Sequence, residues 1–225
     1  MARLILFLKL FERVFSMFWC GEPFDKIKSM CLVDYANYLD KGNEIDEAIV
    51  HYKKAIKLDP RNYYAYGGLS AALITKRHFR EALEYCNKAI TFKPHVILFV
   101  LQSIIYKCLE QPPMAEEALE KTLPFFNNKR DAAYDRLAYT YRGFKMYDEA
   151  EYYLKEALRI NPTEAGLHFN LARVYSKKNQ RQMAKSEFQK VLELSSQNRR
   201  NLKRYRNYAK KEIERITKTE TGQIA

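Results

Sequence analysis

The positions of three prolines constrain the fold more than any other feature of this chain. Pro60, Pro94 and Pro162 are separated by 34 residues and by twice that interval. A fixed period of about 34 residues is typical of stacked helical hairpins, in which each unit buries its apolar face against its neighbours. Because proline cannot continue a helix, each of the three is expected to mark the end of one repeat.

Small side chains recur at fixed distances before each proline. Alanine occupies the positions twelve and five residues before all three prolines: Ala48, Ala82, Ala150, Ala55, Ala89 and Ala157. Small side chains let two antiparallel helices approach closely, while larger apolar side chains fill the gaps beside them. The spacing therefore predicts pairs of packed helices and an all-α fold.

The repeated text resembles the tetratricopeptide repeat family. Segments 43–60 and 146–162 carry the likeness best, and the likeness extends over residues 29–196. The resemblance implies a right-handed superhelical solenoid of antiparallel helix hairpins. Five repeats are expected, of which the third is degenerate: 29–62, 63–96, 97–130, 131–164 and 165–198.

The third repeat departs from the pattern. The frame places Glu116 and Leu123 where small residues belong, and a shift of one residue recovers Ala115 and Thr122 instead. Pro124 falls inside the expected second helix, which predicts that this helix ends early or kinks. Two interpretations remain open, simple divergence of one repeat and a bend in the solenoid that alters its groove.

Residues 1–21 are predicted to form an amphipathic helix that is apolar around most of its circumference. Its charged residues make it a poor membrane-spanning segment and a poor signal peptide. It is expected either to lie in a membrane interface or to dock on protein, in this chain, a partner or a second copy. The residues expected to make that contact are Leu4, Phe7, Leu8, Phe11, Phe15, Phe18 and Trp19.

The other end of the chain is strongly basic. Residues 198–218 are predicted to form a helix that caps the last repeat, followed by a disordered tail at 219–225. Residues 197–220 carry nine Lys or Arg and three Glu, so half of the net charge of +12 lies there. Such a surface favours an anionic partner, a lipid headgroup before nucleic acid. The basic positions are Arg199, Arg200, Lys203, Arg204, Arg206, Lys210 and Lys211.

No pattern of a catalytic, cofactor or metal site is present in the sequence. The four cysteines have no paired spacing, the four histidines are scattered, and no Gly-rich phosphate loop or activated nucleophile motif occurs. A non-catalytic chain without cofactor is therefore expected.

The resemblance implies a concave groove, lined by the first helix of each repeat, that binds a peptide or helix of another protein. Carried onto this chain, its lining residues are Val33, Asn37, Asp40, Tyr64, Ala71, Ile74, Leu98, Leu101, Ile105, Asp135, Tyr139, Arg142, Phe169, Arg173 and Lys177. The last of these make the groove aromatic and basic, which suits a segment with an acidic end. Chaperone-binding members clamp a terminal carboxylate, but Val33 and Gly68 stand where two clamp residues belong, which argues against that activity.

These observations favour a scaffold or adaptor that binds a protein ligand in its groove and is peripheral to a membrane on the cytoplasmic side. The alternative is a soluble scaffold that self-assembles, with the N-terminal helix of one copy docked in the groove of another. An RNA-associated helical-repeat protein is the third and least favoured hypothesis.

Overall fold

The computed structural model describes residues 24–194 and 203–220. These residues form eleven α-helices and one 3-10 turn, without a β-strand in the described part of the chain, which confirms the all-α prediction. The chain divides into two compact units, residues 1–122 and 123–225. The predicted helix at 1–21, Arg199, Arg200 and residues 221–225 of the predicted tail lie outside the described residues.

The first unit is built from three antiparallel helix hairpins. Each helix packs on the next along the chain. The helices are α1 (Phe24–Lys41), α2 (Ile45–Leu58), α3 (Tyr63–Thr75), α4 (Phe79–Phe92), α5 (Val96–Cys108) and α6 (Pro112–Glu120).

The second unit contains two hairpins and a final helix. It begins with a 3-10 turn at Leu123–Phe126, and its final helix packs on α10 and, less extensively, on α9. The helices are α7 (Arg130–Gly143), α8 (Tyr147–Ile160), α9 (Ala165–Lys177), α10 (Arg181–Leu194) and α11 (Lys203–Glu220). Helix α11 extends two residues into the segment predicted to be a disordered tail.

The small residues of the repeat pattern lie where the helices meet. Ala48, Ala82 and Ala150 have no exposed surface. In all three hairpins of the first unit a buried serine also ties the first helix to the second, because Ser29 Oγ, Ser70 Oγ and Ser103 Oγ each donate a hydrogen bond of 2.8 Å to a backbone carbonyl of the partner helix. These bonds satisfy the buried hydroxyls and fix the hairpin register.

The third hairpin follows the register shifted by one residue. Ala115 and Thr122 are buried, whereas Glu116 is exposed. Helix α6 has nine residues and ends at Glu120, four residues before Pro124, so the predicted early end is confirmed. The boundary between the two units lies between residues 122 and 123, directly after this helix. It falls inside residues 97–130, the range predicted for the third repeat.

All five hairpin turns share one backbone geometry that the sequence does not signal. A residue with φ of 58–68° follows the first helix of every hairpin, and two backbone hydrogen bonds close the turn. In the fourth hairpin, Lys145 N–H bonds Arg142 O and Met146 N–H bonds Tyr141 O. This pattern satisfies helix-end carbonyls and normally favours glycine or asparagine at the left-handed position. Three turns use other residues there, namely Arg77, Glu110 and Lys145.

Candidate functional site

An open groove of about 710 Å³ lies in the second unit, among α7, α9, α11 and the 3-10 turn. Its wall combines aromatic rings with arginine side chains. The lining residues are Phe126, Ala132, Asp135, Arg136, Tyr139, Phe169, Asn170, Arg173, Arg204, Tyr205 and Tyr208.

An aromatic cluster attaches α11 to the repeats and forms part of the groove wall. Phe169 is 8% exposed and stacks on Tyr205, with 4.6 Å between ring centroids. Tyr208 meets Phe169 edge-on at 5.3 Å and lies 6.0 Å from Phe188 of α10. Such aromatic pairs contribute beyond their buried area, so the position of α11 is well determined by them.

Arginine side chains lie beside the aromatic rings of the groove. The guanidinium carbon of Arg136 lies 5.8 Å from the Tyr139 ring centroid, and that of Arg173 lies 5.7 Å from the Phe169 centroid. Within residues 24–194 and 203–220, neither of these arginines nor Arg204 has a carboxylate within 4.0 Å. The groove therefore presents positive charge that its own carboxylates do not pair.

Asp135 is the one acidic side chain among the lining residues. Asn170 Nδ2 donates a hydrogen bond of 2.7 Å to its Oδ1 atom. Burial raises the pKa of Asp135, an effect that the hydrogen bond from Asn170 and the charges of Arg136 and Arg142 oppose. The Asp135 carboxyl is thus a half-buried partner of Asn170 and not a fully exposed counter-ion for the arginines.

A smaller pocket of about 200 Å³ adjoins the groove, and we call it the basic pocket. Tyr139 and Arg173 line both cavities, so the two form one continuous surface. Burial, and secondarily the charge of Arg173, lower the pKa of Arg142. The lining residues of the basic pocket are Tyr139, Arg142, Gly143, Tyr147, Arg173 and Lys177.

All six groove residues predicted in the last two repeats line one of these cavities: Asp135, Tyr139, Arg142, Phe169, Arg173 and Lys177. Sequence reasoning missed Arg136, although it lies one helical turn before Tyr139. It also placed Arg204 on a general basic surface and gave no groove role to Tyr205 and Tyr208. Only the docking of α11 brings these three side chains beside Phe169.

The predicted groove residues of the first unit differ in how exposed they are. Five of them are buried in the helix packing and are not carried into the proposed site: Val33, Ile74, Leu98, Leu101 and Ile105. Asn37 and Tyr64 are exposed, and Asp40 and Ala71 are half-buried. Asn37 Oδ1 accepts a hydrogen bond of 2.6 Å from Tyr52 Oη, so this amide is already engaged within the fold.

Helix α11 presents a basic face to solvent. Ala209 and Ile216 are buried against the repeats, which turns the opposite side outward. The exposed basic residues on α11 are Lys203, Arg204, Arg206, Lys210, Lys211, Arg215 and Lys218.

None of the described helices combines the length and apolar character needed to cross a bilayer. Across the same described segments, no three His, Cys, Asp or Glu side chains are grouped closely enough to hold a metal ion.

Models of the tetratricopeptide repeat match residues 38–74, 63–95 and 142–204, together more than half of the chain. A BBSome complex member BBS4 homolog from Drosophila melanogaster is 25% identical over 166 residues, 69% of this chain and 34% of that protein. The Hsp70-Hsp90 organising protein of Plasmodium falciparum is 30% identical over 166 residues, 68% of this chain and 28% of that protein. The chain thus spans about a third or less of the length of these relatives.

A solved structure of PilF from Pseudomonas aeruginosa shares the fold. Its TM-score is 0.51 at 15% sequence identity, and the alignment covers 85% of this chain and 90% of that one. The matched repeat models, the five hairpins and the recurring alanines agree with one another. The chain belongs to the tetratricopeptide repeat family.

Proposed function

We propose that this chain is a non-catalytic interaction scaffold that binds an acidic segment of a partner protein in the groove of its second unit. Tetratricopeptide repeat proteins mediate protein–protein interactions. The observation that carries the proposal is a set of arginines without ion pairs, in the described part of the chain, that lines the groove together with aromatic rings.

The chemistry of the groove suits a peptide with both acidic and apolar side chains. Tyr139 is 55% exposed and Tyr208 is 42% exposed, so their rings offer apolar contact area without a rearrangement. Arginine forms bidentate hydrogen bonds with carboxylates, and aromatic and arginine side chains are the common anchors of protein interfaces. An acidic segment would neutralise the groove while its apolar side chains cover the rings.

The geometry also gives α11 a role beyond capping the last hairpin. Arg204, Tyr205 and Tyr208 all come from α11 and line the groove. The proposed binding surface is therefore incomplete without this helix.

Neutralising Arg204 is expected to weaken binding, whereas neutralising Arg206 is not. Both are exposed arginines on α11, but only Arg204 lines the groove. The probe is a fluorescent peptide rich in Glu and Phe, with a Lys and Phe peptide as its charge-reversed counterpart. Loss of one charge-assisted hydrogen bond should weaken the acidic peptide about tenfold in Arg204→Gln, as measured by fluorescence anisotropy.

Equal affinity of wild type, Arg204→Gln and Arg206→Gln for the acidic peptide would contradict the proposal. The same titration with a single-stranded RNA probe distinguishes peptide binding from the hypothesis of an RNA-associated repeat protein. If wild type retains RNA in an Arg204-dependent manner and ignores the acidic peptide, the ligand is nucleic acid and the proposal fails.

We further propose that the chain is held at the surface of a membrane. The support is the apolar character of residues 1–21 together with the exposed basic face of α11, because two weak membrane signals hold a protein better than either alone. In liposome flotation, the full chain is expected to float with anionic vesicles and a variant that begins at Glu22 is not. If neither protein floats and the full chain forms a larger particle in solution than the shortened one, membrane attachment is wrong. The predicted helix at residues 1–21 then docks in a protein groove, and the chain self-assembles.

A further inference from the structure

The basic pocket is lined mainly by cations and aromatic rings. Three of its six lining residues are cations, two are tyrosines, and the sixth is Gly143. No carboxylate is among them. A cavity of about 200 Å³ has room for a small anionic group and not for a folded segment.

The three cations of this pocket form no ion pair within the described part of the fold. Within the described ranges, none of Arg142, Arg173 and Lys177 has a carboxylate within 4.0 Å. Arg142 is half-buried, and burial followed by the charge of Arg173 lowers its pKa, although Tyr139 and Asp135 partly oppose this. Holding like charges together in a partly desolvated site costs free energy, and a bound anion would remove that cost.

The lysine that directly follows α9 shows that unpaired charge is not general at this end of the helix. Lys178 Nζ lies 2.7 Å from Asp148 Oδ1 and 2.5 Å from Glu151 Oε2, so its charge is neutralised within the fold. Lys177, one residue earlier, is exposed and faces the basic pocket instead.

We propose that the basic pocket binds a phosphorylated side chain of the acidic segment that occupies the groove. This inference rests on the proposed function, because the groove would hold the peptide while Tyr139 and Arg173, which line both cavities, lead into the pocket. Two guanidinium groups and one ammonium group supply more donors than a carboxylate can use. A phosphate monoester carries nearly two negative charges at neutral pH and three acceptor oxygens.

The test compares four peptides that differ at one central position within the same Glu- and Phe-rich sequence. That position is serine, glutamate, phosphoserine or phosphotyrosine. One or two additional charge-assisted hydrogen bonds should make a phosphorylated peptide bind about tenfold more tightly than the glutamate peptide. The two phosphorylated peptides distinguish a serine-borne from a tyrosine-borne phosphoryl group.

Substitution of two neighbouring arginines tests whether the preference for phosphorylated peptides arises in the basic pocket. Arg136 and Arg142 flank the same Tyr139 ring, with guanidinium carbons 5.8 and 5.0 Å from its centroid. Arg136 lines only the groove, and Arg142 lines only the basic pocket. Arg136→Gln should weaken all four peptides and keep the phosphate preference, whereas Arg142→Gln should remove the preference.

A second variant, at Gly143, tests the basic pocket independently of whether Arg142→Gln folds. A Cβ atom at Gly143 would meet no atom within 4 Å, so Gly143→Asp fits and adds a carboxylate beside the three cations. It should abolish the phosphate preference, and Gly143→Asn should keep it. Equal binding of glutamate and phosphorylated peptides to wild type, or a preference that survives Gly143→Asp, would overturn the inference while the groove function stands. Failure of all four peptides to bind would overturn both.

Discussion

Gly68→Ala is expected to destabilise the first unit by about 2 kcal/mol, although alanine favours helices over glycine by about 1 kcal/mol. A Cβ atom at Gly68 would lie 2.4 Å from Cε1 and 2.6 Å from Cζ of Tyr52. The Tyr52 ring is 1% exposed, and its hydroxyl is held by the hydrogen bond to Asn37. Because the ring cannot move aside without breaking that bond, α3 must shift. Urea unfolding followed by circular dichroism measures the loss.

Two controls isolate the contact between Gly68 and Tyr52. In a Tyr52→Ala background the clash is absent, so Gly68→Ala should become neutral or stabilising. Gly143→Ala, at a helical glycine with open space around its Cβ position, should cost nothing. Unchanged stability of Gly68→Ala in the otherwise wild-type chain would refute the packing argument.

His168→Gln is expected to destabilise the second unit by about 2 kcal/mol near pH 6, because Glu187 loses one of its two cationic partners in a buried ion pair. His168 Nδ1 lies 2.6 Å from Glu187 Oε2, and Nε2 lies 2.9 Å from Pro162 O. Both neighbours are acceptors, so only the doubly protonated imidazolium satisfies both. Lys190 Nζ, at 2.8 Å from Glu187 Oε1, retains part of the pairing in the variant.

The effect should depend on pH in a defined direction. The hydrogen bond to Glu187 raises the pKa of His168 above 6.5, so its contribution is complete below pH 6.5 and is lost as the pH rises through the folded-state value. Hydrogen bonds from His168 and Lys190 outweigh burial and lower the pKa of Glu187 below 4.5, so its contribution is lost as the pH falls through that lower value. The pair therefore stabilises the fold most between pH 4.5 and 6.5.

The measurement is the urea midpoint of wild type and His168→Gln at pH 6 and pH 9. The difference between the two proteins should shrink at the higher pH, where the wild-type imidazole becomes neutral. Glu187→Gln serves as the control, since it removes the charge that raises the histidine pKa and should also flatten the pH dependence. A difference that is the same at both pH values would show that His168 is not an imidazolium in the folded protein.

The sequence pattern predicted the hairpins because their determinants are local and periodic. Ala48, Ala82 and Ala150 recur at one position, and helix packing tolerates only small side chains there. The same logic found the shifted register of the third repeat and the early end of α6 before Pro124. The common turn geometry was missed, because Arg77, Glu110 and Lys145 carry no signal for a left-handed conformation.

The candidate site was predictable only in part. The repeat spacing placed Tyr139, Phe169 and Arg173 on the first helices of their hairpins. The family resemblance also implied that Leu98 and Leu101 line the groove, whereas both lie in the packed interior. A helix apolar on several sides, such as α5, does not reveal from its sequence which apolar side chains face a ligand and which face a neighbouring helix.

The sequence by itself determined that this chain folds into helical hairpins of the tetratricopeptide type and that its last helix is strongly basic. Only the tertiary structure decided which positive charges are available to a ligand. Lys177 and Lys178 are identical and adjacent, yet one faces the basic pocket and the other is paired with Asp148 and Glu151. Tyr205 likewise joins Phe169 only because α11 docks against the last hairpin. The repeat spacing predicts contacts between helices that are neighbours along the chain. Charge pairing and the docking of α11 depend instead on side chains that are distant in the sequence.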